Sequence, residues 1–178
     1  MSNHLQAPTM SARPVPGRVA LLAASAAYGA LVVLQAVTLP QSVPAHVGPD
    51  GTADRWEPLA AHLVTATLVG LATALMFWFL PALMGRFPSD LVNLPHKEYW
   101  LRPENLPATR ARLANQMGWF GAAVLVFIGY GIWTVGQVAL GTPPPAAVFW
   151  VLFALVLAGC VAFAVWSYRG TAWRPPAD

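Results

Sequence analysis

The sequence predicts an all-α integral membrane protein whose four transmembrane helices form an up-and-down bundle with both termini in the cytoplasm. Three observations carry that expectation. Apolar stretches without a charged residue fill residues 19–39, 59–84, 117–140 and 146–168. Each supplies the roughly 20 helical residues needed to cross about 30 Å of hydrocarbon. The 178-residue chain is 57% hydrophobic and only 10% charged, which leaves little beyond the spans, their loops and two tails. Finally, the basic residues fall almost entirely on one side of those spans. Unpaired backbone amides are too costly in lipid, so the segments must be helices or a closed barrel. Continuous apolar runs without period-two alternation exclude the barrel.

Taken in order, residues 1–17 are polar and hold Pro8, Pro14 and Pro16, the composition of a flexible cytoplasmic tail. Residues 18–169 form a single transmembrane domain, and residues 170–178 a second tail. Arg13 and Arg18 before an apolar run imitate a signal peptide, but the run exceeds the roughly 7–15 residues of a cleavable core, so an uncleaved anchor is expected. Arg86, Lys97, Arg102, Arg110 and Arg112 lie between spans two and three, and Arg169 and Arg174 follow span four. Only Arg55 falls in an outer loop, which fixes the orientation by the positive-inside rule. Trp78, Trp119, Trp166 and Tyr168 then mark the inner interface, and Trp56, Trp133 and Trp150 the outer one. The basic balance reports membrane orientation; no basic run outside it suggests nucleic acid.

Small residues recur four apart at Ala23 and Ala27, at Ser25 and Gly29, along Ala66, Gly70 and Ala74, and along Ala154, Ala158 and Ala162. Such rows let membrane helices approach closely. The Gly-Thr-Pro-Pro-Pro link at residues 141–145 makes spans three and four antiparallel neighbours. Cys160, the single cysteine, falls inside span four, so no internal disulfide forms and it reads as a small packing residue.

The outer loop carries Pro49-Asp50-Gly51, a turn signal, within a stretch that also holds His46, Asp54 and Arg55. The spacing of Asp50 and Asp54 lacks the remaining ligands of a calcium loop. A transition-metal set of His46, His62, Asp54 and Glu57 is conceivable by geometry, against a plain solvated turn in which Asp54, Arg55 and Glu57 pair among themselves. Gln35, His62 and Gln137 interrupt the spans one or two turns below their outer ends. Polar residues there either hydrogen-bond between helices or face a shared pocket under the loop. The candidate ligand-binding residues are therefore Gln35, His46, Asp50, Asp54, Arg55, His62 and Gln137. On the cytoplasmic side Lys97, Tyr99, Trp100 and Arg102 combine rings and cations suited to contact with anionic lipid or a partner. A helix is expected from Pro103 or Glu104 into span three, with Pro107 in its first turn. No nucleophile with a base and orienter, phosphate loop, zincin motif or paired intramembrane carboxylate is present. Neither catalysis nor a resident cofactor or metal is expected.

Leu39-Pro40, Val43-Pro44 and His46, followed by Asp50-Gly51 and Asp54-Arg55-Trp56, combine with Asn93 and the run Lys97-Glu98-Tyr99-Trp100-Leu101-Arg102-Pro103-Glu104. Together, across roughly residues 39–119, they resemble the bacterial membrane domain of unknown function found in SdpI-type immunity proteins and in short stand-alone relatives. Val47 stands where an aromatic commonly follows the histidine, and His96 where asparagine is usual. The resemblance implies a multi-pass protein of the bacterial cytoplasmic (inner) membrane that senses or neutralises an external membrane-active ligand, and it transfers no catalytic residue. The alternative is a structural or accessory subunit of a larger membrane complex. Expected partners are the lipid bilayer and either another membrane protein or further copies of the chain.

Overall fold

The computed structural model describes residues 15–84, 86–169 and 173–175, so most of both expected tails lies outside it. Four helices are long and apolar enough to cross a membrane: α1 (Pro16–Thr38), α2 (Leu59–Leu83), α4 (Leu106–Ala139) and α5 (Ala146–Arg169). Between α2 and α4 lie a 3-10 turn at Ser89–Leu91 and a short helix, α3 (Lys97–Trp100). The expectation of an all-α chain is corrected by a two-stranded antiparallel hairpin, β1 (Ser42–Val47) and β2 (Ala53–Pro58), in the α1–α2 connection.

The hairpin forms around the turn that the sequence marks. Gly51 adopts φ +86°, a conformation that side chains resist. Asp50 Oδ1 accepts from the Thr52 amide (3.1 Å) and hydroxyl (2.8 Å). Those two donors hold the Asp50 carboxyl below its ordinary 3.8. Because the folded value is the lower one, the turn gains this stabilisation fully above 3.8 and loses it as acid carries the pH through the folded value. Amide exchange at Thr52 is expected to accelerate there beyond its intrinsic pH dependence, and D50N to remove that extra dependence. Pro44, which lacks an amide proton, sits where the register shifts between Pro44 and His46. Val43 is fully buried, packing with Leu39 and Leu59 and thereby pinning the hairpin to the ends of α1 and α2.

α1 packs on both α4 and α2, and α2 on α4. Their shared core is Leu21, Tyr28, Phe77 and Leu125. Glycines receive the large rings: Tyr28 lies on Gly70 and Phe77 on Gly121, where a Cβ would collide with each ring. The Tyr28 hydroxyl donates to the Ala66 carbonyl (2.8 Å). Of the expected small-residue rows, Ala66 and Gly70 are buried, whereas Ala23, Ala27, Ala154, Ala158 and Ala162 are exposed. α5 docks chiefly on α4, through Phe120 against Phe163 and Phe127 against Phe149 and Phe153. None of its most apolar 18-residue window is buried.

Candidate functional site

The hairpin, the end of α4 and the start of α5 enclose a pocket of about 460 Å³. β1 and its turn contribute the stretch from Ala45 to Pro49, α4 presents Tyr130, Gly131 and Thr134, and α5 presents Phe149 and Trp150. The Trp150 indole donates to the Pro49 carbonyl (3.1 Å), tying the turn to α5. Tyr130 Oη and Thr134 Oγ1 are buried and have no hydrogen-bond partner among the described residues. They lie one helical turn apart on α4, in a wall that is otherwise mainly apolar and aromatic.

Of the residues singled out in the sequence, His46 lines this pocket. Its Nδ1 contacts both carboxylate oxygens of Asp54 at 2.8 and 2.9 Å. The expected pairing of Asp54 with Arg55 and Glu57 is therefore replaced by a cross-strand His46–Asp54 pair. Engagement of Nδ1 leaves Nε2 as the ring nitrogen that can meet a ligand. Asp50 is committed to its turn, and Arg55 is exposed on β2.

Gln35, His62 and Gln137 do not share a cavity. Gln35 and His62 are buried between α1 and α2, 4% and 6% exposed. The Gln35 amide donates to the Ile132 carbonyl (2.7 Å), which turns Oε1 toward His62 Nε2 at 2.9 Å. That orientation makes Nε2 the protonated nitrogen. Glu57 Oε1 stands 3.9 Å from Nδ1. This is a hydrogen-bonded chain joining α1, α2 and α4. Gln137 instead receives the Thr142 hydroxyl (3.0 Å), closing the α4–α5 link. Gln35→Leu is expected to cost about 1–2 kcal/mol by stranding the buried His62 N–H. Adding His62→Leu should recover part of it, with a coupling of about 1 kcal/mol between the two sites. Reversible unfolding in mild detergent checks this, and strictly additive losses would refute the linkage.

At the opposite end, the motif expected to face lipid or a partner is divided: Trp100 is buried, Lys97 and Tyr99 are half-buried and Arg102 is exposed. Trp100 is 5% exposed, and its indole donates to the Trp173 carbonyl (2.8 Å). The Arg112 guanidinium lies over both rings, 4.5 Å from the Trp100 centroid and 5.3 Å from that of Trp173. Thr109 donates to the Trp100 carbonyl (2.7 Å), and Arg110 donates twice to the Met84 carbonyl at 2.9 and 3.0 Å. Tyr99 packs partly buried against this cluster. Lys97 reaches the Ser89 carbonyl (3.3 Å) and Arg102 the Glu98 carbonyl (3.1 Å), so these two cations brace the loop from outside.

No family model, curated protein or solved structure matches this chain. Among the described residues, no three His, Cys, Asp or Glu side chains gather as a set able to hold a metal ion. The pocket-lining Tyr130, Gly131, Thr134, Phe149 and Trp150 were not legible as a site. Aromatic and hydroxyl residues are ordinary in spans, and only folding the hairpin over α4 and α5 gives these five a common cavity.

Proposed function

We propose that this chain is a non-enzymatic, multi-pass protein of the bacterial cytoplasmic membrane that captures a cationic amphiphile, such as a membrane-active peptide, in the pocket beneath its outer hairpin. The observation that carries this reading is the pocket itself. Its volume lies within the roughly 300–1,000 Å³ typical of ligand sites. Its walls are apolar and aromatic, its two wall hydroxyls have no hydrogen-bond partner among the described residues, and His46 lines it. Around it the hairpin carries Asp50, Asp54 and Glu57 against a single Arg55, an acidic excess that favours a cationic ligand.

In the proposed arrangement the helices run up and down with both termini in the cytoplasm, and the hairpin and the α4–α5 link face outward. The distribution of Arg and Lys supports this orientation, since Arg55 alone stands on the outer side. The fit to SdpI-type immunity proteins rests on the two loop motifs and gives the same direction of function.

Gly131 supplies the test, because a Cβ there meets nothing within 4 Å while the residue lines the pocket. Cells making the wild-type chain are expected to survive severalfold higher doses of a cationic amphipathic peptide. Gly131→Leu and His46→Ala should each abolish that protection at unchanged membrane level. Full protection by both variants would refute the reading.

A second reading, a structural or accessory subunit, is favoured by one observation: α5 buries none of its apolar window within the chain. Extraction in mild detergent followed by quantitative mass spectrometry of co-purifying proteins separates the two. A stoichiometric membrane partner supports the subunit reading, and recovery of this chain alone refutes it.

A further inference from the structure

A second cavity, about 520 Å³, lies between α4 and α5 toward their arginine-bearing ends. Its walls include Val124 and Leu155, its polar end holds Gln116, and Trp119 and Trp166 stand at its sides. Phe120 and Phe163, with ring centroids 6.1 Å apart, bridge the helices across its floor. Along α5 it extends from Leu152 to Trp166. At 1.5 Å per residue that is about 21 Å. One leaflet of hydrocarbon is roughly 15 Å deep, half of a core of about 30 Å. The groove therefore has the length and apolar lining to seat one acyl chain.

Its polar end has a matching chemistry. Trp119 and Trp166 are 57% and 51% exposed, the disposition of indoles at headgroup level. Arg112 lies one helical turn before Gln116, and the exposed Arg169 three residues beyond Trp166, so both cations share the helix faces that form the groove. Arg112 is engaged by the Trp100 and Trp173 rings, which leaves the exposed Arg169 as the cation at this end of the groove. Guanidinium groups bind phosphate oxygens in paired hydrogen bonds and shed water more readily than ammonium.

We propose that the α4–α5 groove is a binding site for an anionic phospholipid, one acyl chain lying along Gly159 and its phosphate meeting the exposed Arg169. A zwitterionic lipid can fill the same groove, but it brings no net negative charge to Arg169. Lipid held there adds contacts to α5, which docks chiefly on α4 and otherwise meets the hairpin turn and the α2–α4 connection at single hydrogen bonds.

The test uses the full chain, purified in mild detergent, stripped of lipid, and offered phosphatidylglycerol or phosphatidylcholine with the same palmitoyl and oleoyl chains. Native mass spectrometry is expected to show one phosphatidylglycerol retained under activation that removes phosphatidylcholine. Gly159→Leu fills the groove, where its Cβ meets nothing within 4 Å, and should reduce retention severalfold without lowering thermal stability. Arg169→Gln should narrow the preference between the two lipids. Cys160, the only cysteine, lines the groove and gives a measurement on the wild-type chain: phosphatidylglycerol should slow its alkylation more than phosphatidylcholine does. Equal retention and equal protection by the two lipids, or wild-type retention by Gly159→Leu, would overturn the proposal.

Discussion

Replacing Trp100 by alanine is expected to cost about 3–5 kcal/mol, the usual range for removing a buried indole, and to release the α2–α4 connection from the end of the helices. Trp100, Leu113 and Trp173 form a buried cluster with Met84, Leu94 and Tyr99 around them. The substitution leaves a cavity, strips the Trp173 carbonyl of its donor and removes one of the two rings beneath Arg112. Much of the loss is local, because the cluster joins the loop, the start of α4 and residue 173 rather than the spans to one another. Limited proteolysis should therefore cut within residues 86–105 in Trp100→Ala under conditions that leave the wild type intact. Trp100→Phe keeps most of the packing but not the N–H donor, and should lose about 1 kcal/mol beyond its smaller packing deficit. Equal protease resistance in all three proteins would show that Trp100 is not the clamp its contacts describe.

The same residue shows where sequence reasoning stops. Tyr99 and Trp100 beside Lys97 and Arg102 have the composition of an interfacial segment, and composition alone points outward to lipid. What turns Trp100 inward is Trp173, 73 positions away, together with Arg112. No local window contains that pairing. The four spans were legible for the opposite reason: a long uncharged run in lipid has only the helix available to satisfy its backbone. The helix expected from Pro103 or Glu104 into span three is α4, which begins at Leu106 with Pro107 in its first turn; Leu113 and Ala114 pack inward while Arg110 and Arg112 find carbonyl and ring partners.

The hairpin stayed hidden because its strands lack the usual signals. Ser42–Val47 contains a proline, and Ala53–Pro58 is rich in charge with no β-branched residue. Only the turn at residues 49–51 was readable, and tertiary burial of Val43 against Leu39 and Leu59 supplies the rest. For the polar residues, the sequence placed Gln35 and His62 at matching depth and the structure joins them. Gln137 also lies near that end, but it turns to Thr142 in the following link. Depth along a span is legible from sequence; the direction a side chain faces is set by how the helices pack.

That packing rests on close backbone contact between α1 and α4, and Gly118→Leu is expected to break it at a cost of about 3 kcal/mol, the upper part of the range for overpacking. A Cβ at Gly118 would strike the carbonyl group of Gly17, and one at Gly17 would strike the backbone of Asn115. Neither clash can be relieved by a rotamer change, since the obstructing atoms are main chain. The helices must separate, and separation also pulls the Gly17 amide from Asn115 Oδ1, a 2.9 Å bond that satisfies one of the free N–H groups of the α1 N-terminus. Without a hydrophobic force between helices in lipid, the lost close packing is not recovered by other apolar contact. Gly29 provides the control: a Cβ there meets nothing within 4 Å, so Gly29→Ala should match or slightly exceed wild-type stability. Thermal denaturation in detergent, followed by size-exclusion chromatography, should rank Gly118→Leu far below both. If Gly118→Leu melts with the wild type, α1 and α4 are not locked by backbone contact. The Gln35–Ile132 bond between the same two helices would then be the stronger tie.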